Sequence, residues 1–243
     1  MGLQGQVALV TGSGARVGRQ IALRLAEAGM AIAAHYHTSR SGAASLVEAV
    51  RSRGGVARAY GVDLGEADGV EHLASAALRD FGGIDLLVNS AAAWPRTPVA
   101  SLTPGDFDRV LAIDLRAPFL LSVRIGRAMK EKGRGQIINL LDWSLERPYP
   151  DYLPYGIAKA GLAAATRGLA RALAPEVRVN AVAPGPVLLP EGMEAERSER
   201  IRRAIPLGRI GKADDVADAI LYLIQASYAT GSILTIDGGR SLR

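Results

Sequence analysis

The sequence contains no cysteine, only three phenylalanines and two tryptophans, and no long apolar run. Without cysteine the chain can form no disulfide, thiolate nucleophile or cysteine-ligated metal centre. No stretch approaches the ~18–20 apolar residues of a membrane helix, and the apolar segment at 7–10 is far too short for the core of a signal peptide. We therefore expect a soluble, cytoplasmic protein that has no contact with a membrane and no metal site.

Positive charge is in slight excess, with 29 basic against 24 acidic side chains. This excess does not indicate a nucleic-acid partner, because the arginines are spread over the predicted helices and few aromatic residues are present for base stacking. The densest arginine group is interleaved with glutamates and is predicted to be a solvated helical face. That group comprises Arg197, Arg200, Arg202 and Arg203. A small anionic ligand could use the positive charge equally well.

Short apolar runs alternate with segments of helical period. Strands are predicted at 6–11, 30–36, 56–62, 84–89, 135–141, 177–182 and 232–236, and helices near 17–28, 41–53, 66–80, 104–131, 152–173 and 213–226. Strands that are apolar throughout and separated by helices indicate a parallel sheet covered on both faces. We predict an α/β protein, a single doubly wound Rossmann-type domain over 1–243 with a seven-stranded parallel sheet flanked by helices. The irregular segment 184–212 is predicted to be a substrate lid.

A glycine-rich turn directly follows the first predicted strand. Gly12, Gly14 and Gly18 lie between that strand and the first helix. Such a turn lets the backbone approach a pyrophosphate, which then lies against the N–H groups at the helix N-terminus. The turn predicts a dinucleotide cofactor.

The end of the second strand favours NADPH over NADH. NAD-binding proteins usually place a carboxylate there, on the ribose 2′-hydroxyl, but this chain has none before Glu48. Arg16, Arg40 and the hydroxyls of Thr38 and Ser39 suit a 2′-phosphate instead. The alternative for Arg40 is that it only caps a surface helix.

Tyr155 and Lys159 are four residues apart in a predicted helix, which puts them on one helical face. An ammonium group favours tyrosinate and so lowers the pKa of a neighbouring tyrosine. We predict that Tyr155 is a proton donor that works near neutral pH.

The order and spacing of these motifs resemble the short-chain dehydrogenase/reductase family over essentially the whole chain. Further matching pieces are the segments 63–64, 89–91, 178–180, 184–185 and 230–239. The resemblance implies that Asp63 contacts adenine and that Lys159 also holds the nicotinamide ribose. It further implies a homotetramer with the helices 104–131 and 152–173 at subunit contacts. The predicted cofactor-binding residues are Gly12, Gly14, Arg16, Val17, His37, Thr38, Ser39, Arg40, Asp63, Leu64, Asn89, Ser90, Ala91, Tyr155, Lys159, Pro184, Gly185 and Val187.

The chain departs from the family pattern at three positions. Asp142 stands thirteen residues before Tyr155, where the family usually has a serine. A carboxylate there would repel an alkoxide and raise the tyrosine pKa, so it disfavours ketone reduction and favours a substrate with N–H donors; the alternative is a decayed, noncatalytic site. Arg16 replaces the usual glycine, and Trp94 offers an aromatic plate toward the nicotinamide, although core packing would also explain a tryptophan.

These departures make the chain similar to the pteridine reductases and the bacterial dihydromonapterin reductases. The similarity rests on the segments 14–18 and 35–37 and on Asp142 with Tyr155 and Lys159. It implies NADPH-dependent reduction of a dihydropterin, such as dihydrobiopterin or dihydromonapterin, and allows weak reduction of dihydrofolate. Catalysis is assigned to Asp142, Tyr155 and Lys159, with Asp114 as a secondary candidate that orients a water or pairs with Arg116 or Lys159. The predicted substrate residues are Arg16, Trp94, Asp142, Tyr155, Pro186 and Leu189.

Two alternatives stay open. The first is a carbonyl reductase of the same family, acting on a 3-oxoacyl thioester or a quinone. The serine and asparagine that are typical of such an enzyme are both absent from this chain. A catalytically idle NADP-binding protein would not need Tyr155 and Lys159.

Overall fold

Every predicted strand forms, and the strands pair in one parallel sheet in the computed structural model, which describes residues 2–189 and 192–242. The strands are β1 (Val7–Val10), β2 (Ala31–Tyr36), β3 (Ala57–Gly61), β4 (Leu86–Asn89), β5 (Gly135–Leu140), β6 (Val177–Pro184) and β7 (Ile233–Ile236). Their order across the seven-stranded sheet is β3-β2-β1-β4-β5-β6-β7, with every pair parallel. The predicted doubly wound architecture is confirmed.

Helices cover both faces of this sheet. They are α1 (Arg16–Glu27), α2 (Arg40–Arg51), α3 (Gly69–Phe81), α4 (Pro104–Leu111), α5 (Ala117–Glu131), α6 (Leu153–Ala172), α7 (Ala195–Arg203) and α8 (Ala213–Gln225). Alternate residues of β1 enter different cores: Ala8 and Val10 pack on the α1 and α8 side, whereas Val7 and Leu9 pack on the α3 and α5 side. Burial on both faces explains why this strand is apolar throughout.

Two predicted segments differ in detail. The helix predicted at 104–131 is two helices, α4 and α5, joined by a π-helical turn at Ala112–Arg116. Pro118 has no N–H to donate to the carbonyl of Asp114, so the regular hydrogen-bond ladder is interrupted at this point. The predicted lid, 184–212, is less irregular than expected because it contains α7; its residues 190 and 191 lie outside the described part of the chain.

The described residues contain no helix long and apolar enough to cross a membrane. Within the same ranges, no group of three or more histidine or acidic side chains is arranged to hold a metal ion. The location and the partners predicted from the sequence stay predictions.

Candidate active site

A cavity of about 910 Å³ opens at the carboxyl ends of the strands. In open α/β sheets ligands bind in this crevice, at the point where the strand order reverses; here that point is between β1 and β4. The structure places most of the predicted site residues in its wall, while their individual roles stay predictions. They are Gly12, Gly14, Arg16, Val17, His37, Thr38, Ser39, Asp63, Leu64, Ser90, Ala91, Trp94, Asp142, Tyr155, Lys159, Pro184, Gly185, Pro186, Val187 and Leu189.

Three predicted residues do not line the cavity: Arg40, Asn89 and Asp114. Arg40 is the first residue of α2 and is exposed, in keeping with the alternative that it belongs to a surface helix. Asn89 is buried, and its amide nitrogen donates to Ser122 Oγ at 2.9 Å and to Asn139 Oδ1 at 2.8 Å. Asn89 therefore braces β4 against β5 from behind the cavity.

The glycine turn owes its composition to close backbone contacts. Gly12 has φ +67°, and a Cβ there would lie 2.8 Å from the Cα of Ala91. At Gly14 a Cβ would lie 2.7 Å from the carbonyl oxygen of Ser39. Any larger residue would push the turn away from the two neighbouring strand ends that complete the cavity floor.

His35, near the end of β2, holds the glycine turn in place through a hydrogen bond to its backbone. Its Nδ1 accepts the Gly12 N–H at 3.1 Å, and its Nε2 lies 3.0 Å from the carbonyl oxygen of Val62, to which it donates in that tautomer. Burial lowers the pKa of His35 to about 4, so the ring is neutral at pH 7. The neutral ring can therefore make both bonds at once.

Arg16 occupies a backbone conformation that glycine prefers. Its φ is +51°, which costs a non-glycine residue roughly 1 kcal/mol or more. Its guanidinium donates to the carbonyl oxygen of Leu188 at 2.7 Å. The residue thus joins the glycine turn to the segment after β6. Its positive φ is the conformation that the glycine usual at this position of the family turn would adopt without strain.

The N-terminus of α1 suits a pyrophosphate. Ala15 provides no side-chain cap, and the first turn of α1 has no acidic residue. The backbone from Gly14 to Gly18 lines the cavity, so uncapped N–H groups and the positive end of the helix dipole are available to an anion. This donor set and the glycine turn fit a dinucleotide cofactor.

Tyr155, Asp142 and Lys159 meet at the other end of the cavity. The Tyr155 hydroxyl donates to Asp142 Oδ2 at 3.3 Å, and Asp142 Oδ1 accepts the Ser144 N–H at 2.8 Å. Lys159 Nζ donates to the carbonyl oxygen of Leu140 at 3.0 Å and lies 5.3 Å from the centre of the Tyr155 ring. A buried phenol, a carboxylate and an ammonium group therefore surround one point of the cleft.

The net pKa of Tyr155 is raised, not lowered as the spacing to Lys159 predicted. Burial raises the Tyr155 pKa well above its ordinary value, and the charges of Asp142 and Asp114 raise it further. The influence of Asp142 has the direction expected from the sequence, whereas the depth of burial was visible only in the fold. Tyr155 therefore holds its proton as a phenol.

Asp114 lies behind this group rather than in the cavity wall. Asp114 and Lys159 are both buried, with Oδ1 and Nζ 3.2 Å apart, and Asp114 Oδ2 accepts the Ala93 N–H at 2.8 Å. Burial raises the pKa of Asp114, while the Lys159 charge lowers it. Of the two predicted partners, Lys159 is the one found, since Arg116 instead donates to the carbonyl oxygen of Gly65.

A chain of aromatic rings borders the substrate end, and the sequence analysis identified only Trp94 in it. Trp94 stacks on Tyr152 with ring centres 4.5 Å apart, and Tyr152 contacts Tyr149 at 6.1 Å. Tyr149 in turn contacts Trp143 at 5.8 Å, and the guanidinium of Arg240 lies 4.8 Å from the Trp143 ring. The aromatic and proline residues between β5 and α6 were the available signal for this surface.

All four arginines of the α7 cluster are exposed. Arg202 and Arg203 contact the carboxylate of Glu199 at 2.6 and 2.8 Å. Arg197 and Arg200 line the cavity instead. The four arginines are therefore exposed to solvent as predicted, and two of them also border the cavity.

Comparisons with known proteins agree with this fold. The family model described as enoyl-(acyl carrier protein) reductase matches residues 13–241. The 3beta-hydroxysteroid dehydrogenase 1 of Eggerthella lenta is 35% identical, over 99% of this chain and 95% of its own length. The 3-oxoacyl-[acyl-carrier-protein] reductase of Synechocystis is 34% identical, over 98% of this chain and 97% of its own.

Among solved structures, the blue fluorescent protein from a metagenomic library in complex with NADPH has a TM-score of 0.92 and 32% identity, covering 99% of both chains. Relatives named for a steroid substrate and for an acyl-carrier substrate are thus nearly equally identical to this chain. The shared feature is the oxidoreductase fold, and the substrate has to be inferred from the site itself.

Proposed function

We propose, since the chain belongs to the short-chain dehydrogenase/reductase family, that this NAD(P)-dependent oxidoreductase uses NADPH to reduce a C=N bond in a flat nitrogen heterocycle of the dihydropterin class. The observation that carries the proposal is the Asp142 carboxylate, whose Oδ2 is 3.3 Å from the Tyr155 hydroxyl. The cofactor supplies a hydride when it is bound.

Asp142 favours a heterocycle over a carbonyl compound because a carboxylate accepts hydrogen bonds and cannot donate them. Reduction of a ketone builds negative charge on oxygen, which needs donors at that point. A pterin ring instead presents N–H and amino donors. The carboxylate beside Tyr155 is therefore matched to the substrate that brings its own donors.

Proton delivery is assigned to Tyr155. Reduction of C=N adds a hydride to carbon and a proton to nitrogen, and the phenol keeps its proton at neutral pH because burial and two carboxylates raise its pKa. Asp142 orients the hydroxyl and can relay the replacement proton from the cavity. The buried Lys159 stabilises the tyrosinate left after transfer.

The row of aromatic rings at the substrate end of the cavity supports a planar substrate. Trp94 is half exposed beside the Tyr155 ring, with the two ring centres 6.5 Å apart. An offset-stacked aromatic pair contributes about 0.5–1.5 kcal/mol beyond the area it buries. Trp94 and Tyr152 thus provide a surface suited to a flat ring.

NADPH is proposed over NADH because the cavity wall near the end of β2 carries two hydroxyl groups and the His37 imidazole, and no unpaired carboxylate is described there. Thr38 and Ser39 lie there, and Asp63, the acidic residue of that wall, is 3.4 Å from His37. Arg16 adds positive charge close to the glycine turn. We expect kcat/KM for NADPH to exceed that for NADH by at least about tenfold, or ~1.4 kcal/mol, and equal values would contradict this choice.

The substrate class is tested by following NADPH oxidation with dihydrobiopterin, dihydromonapterin, dihydrofolate and acetoacetyl thioesters side by side. We expect the dihydropterins to be turned over fastest. Activity on the thioester alone would overturn the proposal, and activity on none would favour an idle NADP-binding protein.

A carbonyl reductase is the second candidate, and the comparisons favour it. Relatives named for 3-oxoacyl and 3beta-hydroxysteroid substrates cover nearly the whole chain. In that case the Tyr155 hydroxyl would have to supply the donor to the carbonyl oxygen, because the Asp142 carboxylate only accepts hydrogen bonds.

A homotetramer is proposed as the assembly. Exposed apolar side chains on α5 and α6, Phe119, Leu120 and Ile157, suit subunit contacts through these helices. Light scattering coupled to size exclusion tests this, with a mass of about four chains expected.

A further inference from the structure

We propose that Arg197 and Arg200 of α7 bind an anionic group, a carboxylate or a phosphate, on the part of the substrate that does not react. The inference rests on the proposed function in that the ligand is the substrate of this cleft. It adds a chemical feature of the substrate that the reacting ring does not define.

The four arginines of α7 divide between two faces. Arg197 and Arg200 are three residues apart, and with Ile201 they line the cavity. Arg202 and Arg203 belong to the other face, where Glu199 contacts both of them at 2.6 and 2.8 Å. The helix thus neutralises one pair of arginines and directs the other pair at the cleft.

The side chains of Arg197 and Arg200, the cleft-facing pair, make no hydrogen bond or ion pair within the parts of the chain that the structure describes. The acidic side chains described in the cavity wall are Asp63, which is 3.4 Å from His37, and Asp142, which accepts from Tyr155. Positive charge in a concave wall raises the local concentration of anions and their association rate.

The cofactor already has its own anion site, at the uncapped N-terminus of α1 beside Arg16. The α7 arginines instead follow the segment 186–189, the predicted border of the substrate. Arginine pairs with carboxylate or phosphate through two parallel hydrogen bonds, which gives it directional specificity for these groups. The position and the chemistry together indicate a second anion, carried by the substrate.

The test compares two dihydropterins in Arg197→Gln, Arg200→Gln and the double variant. Dihydrofolate carries two carboxylates, whereas the side chain of dihydrobiopterin is uncharged. We expect KM for dihydrofolate to rise about fivefold in each single variant and about 20-fold in the double variant, with kcat and the dihydrobiopterin KM unchanged. High salt should raise the dihydrofolate KM of the wild type but not of the double variant.

Arg202→Gln is the matched control, because it lies on the same helix and faces Glu199; it should leave the dihydrofolate KM unchanged. Arg197→Lys keeps the charge and should retain most of the affinity. If the KM values for dihydrofolate and dihydrobiopterin rose equally, in the variants and in the control, α7 would have only a general structural role. A rise in the NADPH KM alone would mean that these arginines bind the cofactor, and either result would overturn the proposal.

The anion site can be separated from the pterin assignment. If only thioesters are turned over, acetoacetyl-CoA and uncharged acetoacetyl-N-acetylcysteamine replace the two pterins, and the double variant should weaken only the CoA substrate. If nothing is turned over, quenching of Trp94 and Trp143 fluorescence by folate and biopterin in the NADP⁺-loaded protein reports binding. Equal affinity for charged and uncharged ligands in the wild type would contradict the proposal in each case.

Discussion

The two ends of the cavity are built in different ways. At the cofactor end, consecutive residues supply backbone groups, and Gly12 and Gly14 are required because a Cβ would lie under 3 Å from neighbouring backbone. At the substrate end, side chains converge from separate segments: Trp94 after β4, Asp142 after β5, Tyr155 on α6 and Arg197 on α7.

This difference predicts which end of the cavity can change more easily. A backbone cradle tolerates few substitutions, whereas a wall of side chains from separate loops can be changed one residue at a time. Asp142, next to Tyr155, is such a change. It places an acceptor where carbonyl reduction needs a donor, 3.3 Å from the Tyr155 hydroxyl.

The largest effect is expected at the substrate end, for Tyr155→Phe. Loss of the proton donor should lower turnover by about 10²–10⁴-fold. Tyr228→Phe, at an exposed tyrosine, is the control. If Tyr149→Phe abolished turnover and Tyr155→Phe did not, the acid would have been assigned to the wrong tyrosine.

The next effect concerns the cofactor end and is a stability effect. His35 has a pKa of about 4 when folded, below its ordinary value, so the unfolded chain binds more protons between pH 6.5 and pH 4. The free energy of unfolding should therefore fall as pH drops through this window, by up to about 3 kcal/mol. Urea titrations should show a shallower loss for His35→Gln.

His72→Gln, at an exposed histidine on α3, is the control and should keep the wild-type dependence on pH. An unchanged acid dependence in His35→Gln would mean that His35 does not bind the Gly12 N–H as a neutral ring.

The smallest effect is expected for Asp114→Asn, which keeps an acceptor for the Ala93 N–H and removes a charge 3.2 Å from Lys159. Because the Asp114 charge raises the pKa of Tyr155, the alkaline limb of the kcat profile should move to lower pH. Asp108→Asn, at an exposed site on α4, should not move it. If the alkaline limb moved to higher pH instead, the Asp114 charge would not be raising the pKa of Tyr155.

The fold and the cofactor end could be predicted because their signals are local. The apolar runs become strands since both faces of the sheet are buried, and the residues from Gly12 to Gly18 act in sequence order. Side-chain reach was harder to judge: Arg40 begins a helix next to the cavity wall, and Asn89 points into a buried network behind it.

The substrate end could be predicted only in part. Asp142 and Tyr155 were identified by spacing, but Tyr149, Tyr152 and Arg200 reach the cavity through loop and helix directions that tertiary packing determines. The pKa of Tyr155 was misjudged because the spacing to Lys159 reveals one charge, while the burial of the ring and the proximity of Asp114 emerge only in the fold.

The central claim, that the carboxylate of Asp142 selects a nitrogen heterocycle over a carbonyl, is tested most directly by Asp142→Ser. The measurement is the ratio of kcat/KM for dihydrobiopterin to that for acetoacetyl-N-acetylcysteamine, in wild type and variant. We predict that the wild type prefers the pterin and that the variant loses about 100-fold on it while gaining on the thioester, since serine supplies the missing donor. A variant that kept its pterin activity, or a wild type that preferred the thioester, would contradict the account.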